Sequence, residues 1–262
     1  MNLHGKTVLL TGASKGLGRA LATQLDTKGC RLLLVARDTA RLVSLQQALQ
    51  TPGSRQFPCD LGDENGRSHL IEQLFETETR IDLLIHCAGI GSHSNLNQLT
   101  AEEIQLLLAV NTIAPLELTA ALLPLLPADQ PAGIVAIGSV AGELTLPGMS
   151  LYSASKAALH TFSRAVGMEL AHQGHFSLLV VLGALRDTHF GESIRHPAKG
   201  QPGLYRRLDV YPEHAAALII RAVEEQRSFL VIPGWYRLLL TFNRLLFPLT
   251  QLATRHFYRR VR

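Results

Sequence analysis

The sequence predicts an α/β fold, with one doubly wound parallel sheet of about seven strands and helices on both of its faces. Short runs rich in leucine and β-branched residues alternate with longer stretches of helical periodicity, the order that βαβ units require. Runs such as VLLTG and IVAIG are apolar almost throughout, as expected for strands covered on both sides. At 262 residues, 47% of them hydrophobic, the chain is long and apolar enough to fill such a core.

Each predicted strand is followed by a helix or a loop. The strands are predicted at residues 7–11, 31–36, 55–57, 82–86, 133–138, 177–182 and 229–232. The helices are predicted at residues 17–28, 39–50, 64–78, 101–123, 151–173 and 212–226. No repeat, low-complexity segment or flexible linker interrupts this pattern. We therefore assign residues 1–233 to one domain and residues 234–262 to a C-terminal helical extension.

The cysteines and the first residues indicate the compartment. Cys30, Cys59 and Cys87 are widely spaced and lack the paired spacing of a zinc or redox motif, which indicates a reducing environment. The N-terminal residues run almost directly into the first strand and leave no room for a signal peptide. We expect a cytoplasmic protein without a metal site.

The formal charge of +4 is concentrated in the C-terminal extension. From residue 229 onward there are six arginines and no acids, whereas the remainder carries 19 basic and 21 acidic residues. Basic residues recur beside runs such as LLL and LLF, which predicts an amphipathic helix broken at Pro248. No apolar run reaches the roughly 18 residues of a membrane span. Packing against a partner subunit or the domain itself and peripheral contact with an anionic membrane both fit this pattern, whereas no nucleic-acid-binding module accompanies it.

A glycine-rich turn, TGASKGLG, occupies residues 11–18, directly after the first predicted strand. Gly12 and Gly16 permit a tight turn and close approach to a pyrophosphate, and Gly18 lets the following helix pack against the strand. The helix N-terminus then offers amide donors to the anion. Strand, turn and helix in this order predict a nucleotide site.

A tyrosine and a lysine lie four residues apart in YSASK, residues 152–156, near the start of a predicted helix. This spacing places Tyr152 and Lys156 on one helix face. A free tyrosine has a pKa of about 10, and a neighbouring cation favours its anionic form. The pair therefore predicts a tyrosine whose pKa is lowered for proton exchange.

These motifs resemble those of the short-chain dehydrogenase/reductase family over about residues 5–235, in TGxxxGxG, YxxxK and their spacing. The resemblance implies a Rossmann-like catalytic domain and hydride transfer between a nicotinamide nucleotide and a small carbonyl or alcohol substrate. It also implies a homodimer or homotetramer.

The resemblance further implies a role for each catalytic residue. Tyr152 would be the general acid in carbonyl reduction and the general base in alcohol oxidation, while Lys156 also holds the nicotinamide ribose. Ser139, at the end of the fifth strand, would hydrogen-bond the substrate oxygen. Asn111 matches the helix asparagine that positions a water in the proton path.

NADP(H) is the preferred cofactor, with NAD(H) possible. The family's acidic residue at the end of the second strand, which binds the ribose of NAD, is replaced by Ala36 followed by Arg37. Arg37 and Lys15 would instead bind a 2′-phosphate, although both could be ordinary solvated charges. Asp60 resembles the aspartate that binds the adenine amino group. The residues implied to bind the cofactor are Thr11, Gly12, Ser14, Lys15, Gly16, Leu17, Gly18, Arg37, Asp60, Leu61, Ala88, Gly89, Tyr152, Lys156 and Thr188.

Two segments depart from the family pattern. His86 and Cys87 stand where the family has two asparagines, and we interpret both as structural, while Ala88 and Gly89 keep the small residues of that motif. After the sixth strand, Thr188 lies one residue later than the family's threonine.

Substrate choice is expected to depend on the segment 188–209, a candidate lid, and on wall residues that are mostly apolar. These are Glu143, Leu144, Leu146, Met149 and Phe190. They favour a hydrophobic ketone or aldehyde. A nucleotide-sensing protein without turnover, or a different reaction such as epimerisation or dehydration, is the alternative on the same fold.

Overall fold

Seven parallel strands form one sheet in the order β3-β2-β1-β4-β5-β6-β7, in a computed structural model that describes residues 1–144, 146–186 and 210–247. The predicted α/β fold is confirmed. The strands are β1 (Thr7–Thr11), β2 (Arg31–Ala36), β3 (Arg55–Pro58), β4 (Leu83–His86), β5 (Gly133–Ser139), β6 (Phe176–Leu182) and β7 (Phe229–Ile232). The order reverses between β1 and β4, and open α/β sheets bind ligands at the carboxyl ends of strands at such a point.

The helices differ from the predicted ones mainly at their ends. They are α1 (Gly16–Thr27), α2 (Thr39–Ala48), α3 (Glu64–Thr77), α4 (Ala101–Leu108), α5 (Ala114–Leu122), α6 (Ser150–Leu170), α7 (Pro212–Glu224) and α8 (Tyr236–Leu245). The helix predicted at 101–123 is present as one helical stretch, Ala101–Leu125, in which a π-helical turn, Ala109–Ile113, joins α4 to α5. Pro115 follows in the first turn of α5, where it lacks the N–H that would continue the ladder.

Alternating side chains of the strands build a core on each face of the sheet. Val8 and Leu10 of β1 face α1, α2 and α7, while Leu9 faces α3, α5 and α6. The side chains of Val8, Leu9 and Leu10 are all fully buried. Burial of one such side chain contributes about 1.5–3 kcal/mol to the stability of the folded protein. Both faces of β1 are therefore held, which fixes the loop that follows it.

One helical stretch among the described residues, Ala101–Leu125, is long and apolar enough to cross a membrane by length and composition alone. In this fold the stretch consists of α4, the π turn and α5, and half of its apolar window is buried. It packs against α3 and α6. We therefore describe it as a core helix of the domain.

Helix α8 belongs to the C-terminal extension and packs beside β7 and α6. Leu240 is buried against Leu159, Val181 and Val231. Asn243 donates from Nδ2 to the carbonyl oxygen of Glu143 at 3.2 Å. The described part of the extension thus contacts the loop that follows β5.

Candidate active site

A cleft of about 1170 Å³ opens at the carboxyl ends of the central strands. This volume is slightly above the roughly 300–1,000 Å³ usual for ligand pockets. The cleft brings together most of the residues predicted from the motifs: Gly12, Ser14, Lys15, Gly16, Leu17, Gly18, Arg37, Asp60, Leu61, Ala88, Gly89, Ser139, Tyr152 and Lys156. Thr11 and Asn111 lie behind its wall, and Thr188 falls outside the described residues.

The glycine turn is tight, as predicted, and two of its glycines have no room for a side chain. Gly12 has φ of +70°, and a Cβ there would lie 2.8 Å from the Cα of Ala88. A Cβ on Gly18 would lie 2.1 Å from the carbonyl oxygen of Gly12. Lys15 is the cap residue of α1, and its side chain makes no capping hydrogen bond. Gly16, Leu17 and Gly18 of the first turn line the cleft, and the N–H groups at a helix N-terminus are suitable donors for an anion.

Thr11 lies behind the wall of the cleft and supports the site through backbone contacts. The side chain is buried, and its Oγ1 accepts hydrogen bonds from the backbone N–H groups of Cys87 and Ala88, each at 3.1 Å. The reason is the parallel pairing of β1 with β4, which puts the ends of the two strands side by side. Thr11 thus ties the loop after β4 to the glycine turn.

The neighbouring His86 is structural, as predicted, whereas Cys87 lines the cleft. His86 is buried, its Nε2 lies 2.8 Å from Oγ1 of Thr119, and burial lowers its pKa to about 3. Burial also raises the pKa of the Cys87 thiol to about 12, so this cysteine is present as the thiol at neutral pH.

Among the described residues, three cations and two carboxylates line the end of the cleft beside the glycine turn. Lys15, Arg37 and Arg41 line it together with Asp38 and Asp60. Arg37 lies 3.9 Å from Asp60, and Arg41 lies 3.2 Å from Asp38. The sequence analysis missed Arg41, which one turn of α2 brings beside the cleft. It also missed Asp38, whose carboxylate caps α2 by accepting a hydrogen bond from the backbone N–H of Arg41.

Ser139 and Tyr152 meet at the catalytic end. Ser139 ends β5, and its Oγ accepts from the N–H of Ala141 at 3.2 Å. A side-chain hydrogen bond links it to Tyr152, which is buried. Burial raises the pKa of Tyr152 to about 12, although the hydrogen bond to Ser139 acts in the opposite direction. The predicted lowering of this pKa was wrong, because burying a phenolate costs more than this hydrogen bond returns.

Lys156 lies one turn after Tyr152 on α6 and is buried. Its ammonium group donates to the carbonyl oxygen of Ile137 at 2.9 Å. Burial lowers the pKa of Lys156 to about 8, so the ammonium form still predominates at pH 7. The α6 helix and β5 together place a cation at the tyrosine end of the cleft.

Asn111 lies fully buried in the π-helical turn. Its Nδ2 donates to the carbonyl oxygen of Ile90 at 2.9 Å and to Oγ of Ser155 at 3.1 Å, and its Oδ1 accepts from the N–H of Ile90 at 2.9 Å. π-Helical turns are frequent at functional sites. In the structure, Asn111 fixes the chain after Gly89 against α6.

Sequence reasoning missed His160, which lies directly behind Ser139. The imidazole is buried; its Nε2 accepts from the N–H of Ser139 at 3.2 Å, and its Nδ1 lies 3.2 Å from Oε1 of Glu143. A Cβ on Gly138 would lie 2.2 Å from that Nε2, so this glycine makes room for the ring. The spacing of His160 four residues after Lys156 was the available signal.

Glu143 and Leu144 do not line the cleft, which corrects their assignment as wall residues. The Glu143 carboxylate turns away to His160 and forms ion pairs with Arg164 and, at 2.8 Å, with Arg244 of α8. These hydrogen bonds hold the pKa of Glu143 well below its usual range, led by the bond with His160. Leu144 packs with the cluster beneath α8.

The outer part of the cleft is mostly apolar and has one polar corner. Leu146 and Met149, both predicted as wall residues, line it together with Tyr236 of α8. At the corner, the guanidinium carbon of Arg186 lies 5.4 Å from the ring centroid of Tyr211. Phe190 and the candidate lid 188–209 lie outside the described residues. The sequence analysis missed Tyr236, because its contact with the cleft is made by the packing of α8.

Comparisons with known proteins agree with this geometry. The family model described as short chain dehydrogenase matches residues 6–198. A ketoacyl reductase, HetN of a Nostoc species, is 31% identical over 232 residues, covering 88% of this chain and 79% of its own.

Two solved structures are similar in fold over nearly their whole length. A short-chain dehydrogenase from Streptomyces avermitilis superposes with a TM-score of 0.82 at 28% identity, covering 97% of both chains. A short-chain dehydrogenase from Sphingobium yanoikuyae in complex with NADPH has a TM-score of 0.76 at 28% identity, covering 92% of this chain and 95% of its own. The chain therefore belongs to the short-chain dehydrogenase/reductase family of oxidoreductases, which use a nicotinamide nucleotide.

Proposed function

We propose that the protein reduces apolar ketones or aldehydes with NADPH. The observation that carries this proposal is the single cleft in which the glycine turn at one end is continuous with Ser139, Tyr152 and Lys156 at the other. A site of this shape can hold a dinucleotide with its nicotinamide beside the tyrosine.

The residues fit such a cofactor. The uncapped N-terminus of α1 supplies amide donors for the pyrophosphate, and the glycines of the turn leave the backbone accessible. Asp60 and Leu61 would hold the adenine, while Ala88 and Gly89 leave room beside the ribose. Lys156 would hold the nicotinamide ribose. Thr188 would bind the carboxamide of the nicotinamide ring. When bound, NADPH would supply the hydride for the carbonyl carbon.

Side chains of the protein would supply the proton and stabilise the charges that develop during the reaction. Ser139 would hydrogen-bond the substrate oxygen as negative charge develops on it. Tyr152 would donate its proton to that oxygen, and the Lys156 ammonium would stabilise the resulting phenolate. Because burial raises the pKa of Tyr152 to about 12, the phenol holds its proton at neutral pH and has it available for donation to the substrate oxygen. Asn111 would keep the proton path in place.

The charges beside the end of β2 favour NADPH over NADH. Lys15, Arg37 and Arg41 surround the position next to the end of β2, where a 2′-phosphate would lie. Asp38 is a carboxylate at the same edge, but its charge is offset by Arg41 and by the capping of α2. The solved relative bound to NADPH supports this choice by similarity.

The apolar substrate class is supported by the outer wall of the cleft. Leu146, Met149 and Leu185 line it together with the ring of Tyr236, so a long hydrocarbon group would contact mainly apolar atoms. The similarity to a ketoacyl reductase is consistent with a carbonyl compound carrying such a group. We place the reaction in the cytoplasm.

A titration of the purified protein with NADPH and NADH, followed by NADPH oxidation with carbonyl compounds of increasing chain length, tests the proposal. We expect tighter binding of NADPH and turnover that rises with chain length. Binding without turnover of any carbonyl would favour the nucleotide-sensing alternative. If neither nucleotide binds, the proposal is refuted.

A further inference from the structure

A continuous apolar stripe faces outward along α8. Its side chains recur every three or four residues, so they lie on one side of the helix, the side away from the domain. They are exposed in the structure, with 68% of Leu238, 57% of Phe242 and 73% of Leu245 accessible. The stripe consists of Trp235, Leu238, Leu239, Phe242, Leu245 and Leu246.

The stripe is separate from the face that packs α8 onto the domain. Leu240 is buried, and Tyr236 and Asn243 are half-buried on that other face. The polar side chains of the helix, Arg237, Thr241 and Arg244, form a third face. Contiguous exposed apolar surface of this kind marks an interaction site, and the packing of α8 already uses a different set of residues.

We propose that this stripe docks the protein onto an anionic lipid surface. An apolar face beside a basic face is the pattern of helices that lie in the plane of a membrane interface. The stripe begins at Trp235, and tryptophan is enriched at such interfaces. Its side chains are hydrocarbon except for the tryptophan N–H, so the stripe offers a protein partner few of the hydrogen bonds usual at interfaces.

Charge selects the lipid surface over a second copy of this chain. From residue 229 to the end, the sequence has six arginines and no acidic residue. Like charges on two copies of so basic a segment would oppose their association, whereas anionic headgroups attract an arginine such as Arg237, by about 1 kcal/mol for each arginine near the surface.

Docking would also bring the cleft alongside the lipid. Tyr236 starts α8 and lines the cleft, and a Cβ on Gly183 would lie 2.4 Å from its ring. Apolar carbonyl compounds dissolved in the membrane would then be concentrated near the site. This consequence rests on the proposed function, whereas the docking itself does not.

Vesicle flotation of the full chain tests the docking independently of activity. The probes are vesicles of phosphatidylcholine alone and of phosphatidylcholine mixed with phosphatidylglycerol, at low and high salt. We expect binding to the anionic vesicles that weakens with salt. The double variant Leu238→Gln/Phe242→Gln should lose about tenfold or more in affinity. Arg237→Gln should lose about fivefold.

The matched control is Leu96→Gln/Met168→Gln, which removes two apolar side chains that are 81% and 75% exposed elsewhere on the surface. It should bind vesicles like the natural protein, and circular dichroism checks that every variant is folded. Absence of vesicle binding by the natural protein overturns the proposal. Equal losses in the control and stripe variants overturn it as well. If the natural protein is a dimer that does not bind vesicles, and the stripe variant is a monomer, the stripe is occupied by a second copy of the chain instead.

Discussion

Replacing Lys156 by methionine should stabilise the protein while removing its activity. The pKa of Lys156 falls from 10.5 to about 8 through burial, and each pKa unit corresponds to about 1.4 kcal/mol. Keeping the ammonium form in the folded protein at pH 7 therefore costs about 3 kcal/mol. Loss of the hydrogen bond to Ile137 offsets about 1 kcal/mol of the gain. We expect a net gain of about 2 kcal/mol, or roughly 4–8 °C in Tm.

The pH dependence of this gain has a defined sign. Below pH 8 the lysine is protonated in both the folded and the unfolded chain, so its cost is fully present. Between pH 8 and the unfolded value of 10.5, the unfolded chain binds the extra proton, and the stability of the natural protein rises with pH. The advantage of Lys156→Met should therefore shrink as the pH rises from 7 to 9.5.

Thermal unfolding without nucleotide at pH 7 and 9.5, followed by circular dichroism, measures this effect. Lys28→Met is the matched control, because Lys28 is exposed and pairs with Glu224 at the surface; its Tm should change by little. Turnover of Lys156→Met should fall by about a hundredfold or more. A lower Tm for Lys156→Met than for the natural protein, or a gain that grows with pH, would refute the assigned burial cost.

Three further substitutions test the other parts of the site. Tyr152→Phe removes the proton donor, so turnover should fall by about 10²–10⁴-fold with NADPH affinity nearly unchanged; full activity would contradict the mechanism. Arg37→Ala should weaken NADPH by about tenfold or more and NADH far less in fluorescence titrations, and equal effects would argue against phosphate binding. His160→Ala leaves the Ser139 N–H without its acceptor, at a cost of about 1–3 kcal/mol. It should lower kcat more than NADPH affinity, whereas the exposed control His172→Ala should change neither; an unaltered kcat would show that His160 does not position Ser139.

Local sequence signals were sufficient where a motif lies within one βαβ unit or one helix turn. The glycine turn and the YSASK segment each lie within a few residues of the chain, and in both cases the predicted neighbours share the cleft. The strands were also predictable, because a sheet buried on both faces requires apolar runs that are visible without knowledge of their partners.

The predictions that were wrong depend on contacts between distant residues. Leu144 was assigned to the cleft wall, but it packs in the cluster beneath α8. Glu143 was assigned to the cleft wall, but its contacts with Arg164 and Arg244 turn it away. The direction of the Tyr152 pKa depends on burial, which local spacing does not reveal.

The sequence by itself determined the fold and the family and predicted the residues that meet at the tyrosine end of the cleft, because these depend on periodicity and on residues close along the chain. Only the tertiary structure decided that His160 supports Ser139, that Arg41 and Asp38 share the nucleotide edge, and that Tyr236 of α8 reaches the cleft. The physical reason is that burial and side-chain pairing depend on which elements pack together. Glu143 and Arg244 form an ion pair although 101 positions separate them in the chain. Nothing in the sequence around either residue identifies the other as its partner.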